Sequence, residues 1–93
     1  MLLLDSSVNN SLTGLIKTKT FTVTTDSSGI AFNDETEEIA VISAYTHDRI
    51  NNHGTLISPY FTNEKWSYRV IDIYKGTVCA NVELTIIIKY IEN

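Results

Sequence analysis

From Val78 to Tyr90 the chain alternates with a period of two. Val78, Ala80, Val82, Leu84, Ile86, Ile88 and Tyr90 fall on one side, and Cys79, Asn81, Glu83, Thr85, Ile87 and Lys89 on the other. Successive side chains of an extended strand point to opposite faces, whereas a helix repeats every ~3.6 residues, so this run selects a β-strand with one apolar face. Its thirteen residues exceed the common strand length, which predicts a bend, a bulge or an extension beyond its neighbours. The rest of the chain agrees. Ile, Val and Thr supply 30 of the 93 residues, while Ala occurs only at positions 31, 40, 44 and 80. β-Branched side chains are stiff and pack well on a pleated surface, so the chain reads as all-β.

Further strands follow from the same periodicity. Over Lys19 to Thr25, Phe21 and Val23 share a face opposite Thr20, Thr22 and Thr24. Asp26-Ser27-Ser28-Gly29 has turn chemistry, and Ile30-Ala31-Phe32 reads as a short return strand, so the segment predicts a hairpin. Ile39 to Tyr45 is apolar on both sides, with Ile39, Val41 and Tyr45 against Ala40, Ile42 and Ala44. Leu56 to Phe61 forms another short strand, placed near an edge or bend by Pro59. Asn63-Glu64-Lys65 is a compact turn. In Trp66 to Ile73, Trp66, Tyr68 and Val70 oppose Arg69, Ile71 and Ile73, and Lys75-Gly76 closes the next turn.

Six or seven short strands joined by polar turns close most simply as a small antiparallel β-sandwich, jelly-roll-like or immunoglobulin-like. Residues 1–14 read as an N-terminal arm or linker and 15–93 as the single domain. Met1-Leu2-Leu3-Leu4 does not make a signal peptide, because Asp5 interrupts a short apolar run and no basic residue precedes it. Nowhere does the chain approach the ~18 consecutive apolar residues that a membrane-crossing helix needs.

The charge is −4, from 7 basic and 11 acidic residues, which gives no general attraction to a nucleic-acid backbone. One cysteine, Cys79, rules out an internal disulfide, and its place within the final apolar run reads as a packed thiol. No nucleophile elbow, phosphate-cradling glycine loop or paired metal-binding histidines occur, so neither an enzyme nor a cofactor is expected. His47, Asp48 and His53 are the most suggestive polar group, but two imidazoles and one carboxylate are too few to specify a metal site. Asp34, Glu35, Glu37 and Glu38 lack the spacing and glycine of a calcium loop and read as a solvated turn that guards a strand edge.

The aromatic residues are more informative. Tyr45, Tyr60, Phe61, Trp66, Tyr68, Tyr74 and Tyr90 concentrate in the second half, beside Arg49, Arg69 and several asparagines. Aromatic faces with neighbouring amides and cations suit sugars, and they equally suit protein interfaces. The ligand-contact set expected from this pattern is Tyr45, Arg49, Asn51, Asn52, Tyr60 and Tyr68. Phe21, Phe32 and Trp66 are assigned to the core. Val82, Leu84, Ile86 and Ile88 compete with Ile87 and the apolar N-terminus for a very small core, which gives a motive for oligomerisation.

The segment Phe21-Thr-Val-Thr-Thr-Asp-Ser-Ser-Gly-Ile-Ala-Phe32 resembles C-terminal domains of tail or baseplate proteins from phages of Gram-positive bacteria. The resemblance continues through Val41-Ile-Ser-Ala-Tyr45, Ile57-Ser-Pro-Tyr60, Trp66-Ser-Tyr68 and Val82-Glu-Leu-Thr-Ile-Ile-Ile-Lys-Tyr90, covering about residues 15–91. It implies a noncatalytic β-sandwich on a virion, extracellular after release, forming a homotrimer, contacting other virion proteins and recognising a host cell-surface saccharide or protein. The alternatives are a structural virion assembly or decoration domain and a carbohydrate-binding module of a secreted enzyme.

Overall fold

The structure, a computed structural model, describes residues 15–93. The expected N-terminal arm, 1–14, lies outside the described residues. Alternating Ile, Val and Thr segments form seven strands: β1 Lys17–Thr24, β2 Ile30–Phe32, β3 Ile39–Tyr45, β4 Thr55–Thr62, β5 Lys65–Asp72, β6 Thr77–Val78 and β7 Glu83–Glu92. They make two antiparallel sheets, as expected of a small sandwich. One has the order β1-β7-β3. In the other, β5 is flanked by β4 on one edge and by β2 and β6 on the remaining pairings.

The core forms where the two central strands face each other. Leu84, Ile86 and Ile88 of β7 are buried, with Val23, Phe21 and Ala44 opposite them in register. From β5 come Tyr68 and Val70, both fully enclosed, paired with Ala31 and Ile57. The Phe21 and Tyr68 rings meet across the sheets at 5.3 Å between centroids. The Trp66 indole Nε1 donates to the Ile39 carbonyl at 3.1 Å, tying β5 to β3. Tyr68 donates its hydroxyl to Asn33 Oδ1 at 3.3 Å, and burial pushes its ionisation up to about 12. These side chains supply the apolar burial that drives folding.

Several sequence expectations change. Asp26 does make the turn: its Oδ1 accepts the Ser28 and Ile30 amides, and Gly29 takes φ +76°. However, β1 pairs with β7 and β2 with β5, so the turn is an arch between sheets and not a hairpin. The Val78–Tyr90 run is also two elements. Val78 belongs to β6, and Asn81 at φ +56° breaks the strand before β7. The period-two pattern survives a break that residues in turn conformation cannot transmit as one face. Cys79 consequently turns into the core instead of sharing a face with Glu83.

In β3 a bulge between Val41 and Ser43 shifts the phase, so Ile39, Val41 and Ala44 face in while Tyr45 pairs outward with Ile87. Phe32, assigned to the core, is 51% exposed because its partner across the ladder is Ser67, on the outer face of β5. Leu84, Ile86 and Ile88 find room within one chain, which removes their part of the motive for oligomerisation.

The crossings between sheets are fastened to one another. Thr25, 2% exposed, donates its hydroxyl to the Cys79 carbonyl at 2.6 Å and accepts the Val82 amide at 3.0 Å. Its own amide donates to Val82 O at 2.8 Å, and the Asn81 amide reaches Asp26 O at 3.1 Å. Gly29 fits beneath this knot: a Cβ there would meet Val78 Cβ at 2.7 Å, whereas one on Gly76 would meet nothing within 4 Å. Both glycines have positive φ, which by itself disfavours alanine by ~1–2 kcal/mol. Gly29→Ala therefore destabilises the fold clearly more than Gly76→Ala in denaturant titrations. Equal losses would contradict the close packing at Gly29.

Candidate functional site

The two-residue turn Asn63-Glu64, with φ +51° and +65°, fixes Thr62 opposite Lys65. Mirror-image turns of this kind match the twist of a hairpin and lock its register. That register places Tyr60 opposite Ser67, Ser58 opposite Arg69, and Leu56 opposite Ile71. On the other edge of β5, Phe32 pairs with Ser67, Ile30 with Arg69, and Val78 with Ile71. Side chains opposite one another in an antiparallel ladder share a face. The outer side of this sheet therefore carries Phe32, Ser67 and Tyr60 in one row and Ile30, Arg69 and Ser58 in the next.

Ser58, Tyr60 and Arg69 line a shallow hollow of about 220 Å³ on that face. Beside it, Ser67 is fully buried between its aromatic neighbours, and its hydroxyl has no hydrogen-bond partner among the described residues. An unpaired buried hydroxyl is disfavoured, so this position has polar capacity that the fold does not use. An aromatic ring, hydroxyls and a guanidinium at the surface can stack on the C–H side of a sugar and bond its oxygens.

The expected contact residues occupy four places. Tyr60 lies on the face just described. Tyr45 ends β3 on the outside of the other sheet, where its ring meets His47 at 5.5 Å. Arg49, Asn51 and Asn52 belong to the β3–β4 loop and serve its geometry. Asn51 and Asn52, at φ +53° and +65°, turn the chain between Ile50 and His53, while Arg49 Nη2 donates to Asn52 O at 2.9 Å. Tyr68 is enclosed in the core and presents no surface, so it is withdrawn as a contact. Phe32, Ser58 and Arg69 take its place, with the enclosed Ser67 between them. The signal for Ser58 and Arg69 was the hairpin register: once Asn63-Glu64 is read as a two-residue turn, Ser58 and Tyr60 must oppose Arg69 and Ser67, while Phe32 joins them through the β2–β5 pairing.

A larger hollow, about 400 Å³, opens at one end of the sandwich against Lys19, Glu35, Glu38, Tyr90 and Glu92. Its two cation-facing carboxylates, Glu35 and Glu92, are already paired, while Glu38 makes no ion pair among the described residues. Lys19 pairs with Glu35 and lies 5.8 Å from the Tyr90 ring centroid, while Lys17 pairs with Glu92. The hydrogen bond between them, and then their opposite charges, lower the pKa of the Glu92 carboxyl and raise that of Lys17.

His47, Asp48 and His53 do not converge on one point. Asp48 Oδ2 accepts the Thr85 amide at 2.6 Å, anchoring the loop to β7. His53 Nδ1 lies 2.7 Å from Asp72 Oδ2, under the Tyr74 ring at 4.8 Å. Among the described residues no group of three potential ligands is placed to hold a metal ion. The Cys79 thiol is pushed up by burial and then by the Asp72 carboxylate, which suits a packed role and lowers its nucleophilicity at neutral pH.

The hydrogen bond from His53, assisted by the Lys75 amide, holds the Asp72 carboxyl below its ordinary value of 3.8. A depressed carboxyl stabilises the fold above its unfolded pKa, and that contribution fades as pH falls through the folded value. The stability gap between the wild type and Asp72→Asn should therefore be full near neutrality and shrink below about pH 4. A gap unchanged by acid in pH-dependent unfolding would contradict the Asp72–His53 anchor. No protein-family model, curated protein or solved structure matches this chain.

Proposed function

We propose that the chain is a noncatalytic recognition domain of a phage tail or baseplate, binding a host cell-surface saccharide on the outer face of the β4-β5-β2 sheet. The observation that carries the binding part is the hollow formed by Ser58, Tyr60 and Arg69, with the unpartnered Ser67 hydroxyl and exposed Phe32 beside it. Tyr60 supplies the stacking surface, and Arg69 and the serines supply directional bonds to hydroxyl groups. Paired strands hold the backbone of these residues in place before the ligand arrives, so little main-chain ordering is needed on binding. The virion setting rests on the sequence resemblance and places the domain outside the cell after release.

Purified host wall polysaccharides and intact Gram-positive cells are the probes. Tyr60→Ala should weaken retention about tenfold, equivalent to ~1.4 kcal/mol, while Tyr45→Ala should change it less than about twofold. Failure of the wild-type chain to bind every host polysaccharide and cell tested would sink this reading. So would loss on Tyr45→Ala with Tyr60→Ala unaffected.

A second reading, a virion assembly domain, is favoured by a different observation. Leu56, Ile73 and Val78 are 54%, 60% and 45% exposed near one end of the same sheet. Exposed aliphatic surface of this kind is commonly covered by another subunit. Light scattering over a concentration series should then give a mass above 10.5 kDa, with a trimer favoured, and Leu56→Glu should lower it. A monomer at every concentration would remove the assembly reading without touching the saccharide site.

A further inference from the structure

Charge is distributed unevenly over this acidic chain. The face that carries the hollow has two cations, Arg69 and Lys65, separated by four residues along β5 and therefore by about 13 Å. No carboxylate occupies any position of that face on β2, β4, β5 or β6. Its remaining members are Ile30, Phe32, Leu56, Ser58, Tyr60, Thr62, Ser67, Ile71 and Val78. The ion pairs among the described residues are Lys17–Glu92, Lys19–Glu35 and His53–Asp72, so neither Arg69 nor Lys65 is neutralised by one. On a chain of net charge −4, this aromatic face carries cations and no acid at its strand positions, the nearest carboxylate along the chain being Glu64 in the turn before Lys65. Arg69 and Lys65 make this face locally attractive to an anion on a chain that is acidic as a whole.

Resting on the saccharide reading, we infer that the ligand is an acidic saccharide, whose carboxylate or phosphate seats on Arg69 while its sugar ring lies against Tyr60. Guanidinium presents paired donors that match either anion, and Ser58, directly across the ladder, adds a hydroxyl donor beside it. Lys65 extends the attraction toward a second charged unit of a longer chain. The enclosed, unpartnered Ser67 hydroxyl can meet the ligand only if Phe32 or Tyr60 moves aside as the ring binds. Two cations are too few to follow a nucleic-acid backbone, so stacking of single-stranded bases is the less favoured use of the same face.

The test is an array in which each neutral oligosaccharide is paired with its carboxylated and its phosphorylated counterpart, with oligo(dT) included. Wild type should retain acidic members at least tenfold more strongly than their neutral partners, and retention should fall as salt rises. Whichever of the carboxylated or phosphorylated sets binds identifies the anion. Arg69→Gln should abolish that preference, and Arg69→Lys should restore only part of it. Ser67→Ala should weaken acidic binding while leaving the unfolding midpoint unchanged or higher, which separates a ligand contact from a structural one. Neutral members bound as tightly as acidic ones, still dependent on Tyr60, would overturn the anionic specificity and leave the saccharide reading intact. No retention of any sugar would overturn both, and oligo(dT) binding lost on Arg69→Gln would replace both with a nucleic-acid site.

Discussion

The hydrogen bonds around Thr25 are the constraint on which the rest depends. A seven-strand chain that crosses between sheets buries backbone where each crossing leaves its strand, at Thr25, Gly29 and Cys79 here, and unpaired amides and carbonyls are expensive there. Thr25 resolves two crossings together: its hydroxyl and amide satisfy groups of Cys79 and Val82, while Asp26 closes its own turn and receives Asn81. The β1–β2 arch and the β6–β7 arch are thus joined at one point. With these fixed, β7 enters its sheet with Leu84, Ile86 and Ile88 inward, and β5 meets them with Tyr68 and Val70.

The outer face of the second sheet follows from the inner one. Once Tyr68 and Val70 face the core, Lys65, Ser67, Arg69 and Ile71 must face outward, because a strand alternates. The Asn63-Glu64 turn then brings Ser58 and Tyr60 alongside. The site is therefore built on two paired strands and not on loops, and its geometry is as stable as the hairpin that carries it. The β3–β4 loop, richer in polar side chains, uses them to close its own turn and to anchor itself to the strands. Asp48 holds β7, Arg49 closes its own turn, and His53 holds Asp72.

Much of the fold was legible because alternation and turn chemistry are local. The positions of most strands and the Asp26–Gly29 and Lys75-Gly76 turns follow from residues a few places apart, whereas the enclosure of Tyr68, expected as a ligand contact, did not. Sheet membership was not legible. Nothing near Asp26 in the sequence states that β2 prefers Arg69 and Tyr68 to β1, since that pairing is made across the molecule. The same limit put Phe32 in the core and left the bulge after Val41 unseen. At the site, Tyr60 was legible as a surface aromatic, but composition favoured the asparagine-rich loop over Ser58 and Arg69. Asn51 and Asn52 proved to be there for their tolerance of positive φ.

The account's central claim is that binding belongs to the face of β4 and β5. Mapping backbone and arginine side-chain NMR shifts of the intact chain during titration with an acidic oligosaccharide addresses it most directly. Shifts concentrated at Phe32, Ser58, Tyr60, Ser67 and Arg69 are the predicted result. Shifts centred instead on Arg49, Asn51 and Asn52, or around Lys19 and Glu35, or no shifts anywhere, would contradict it.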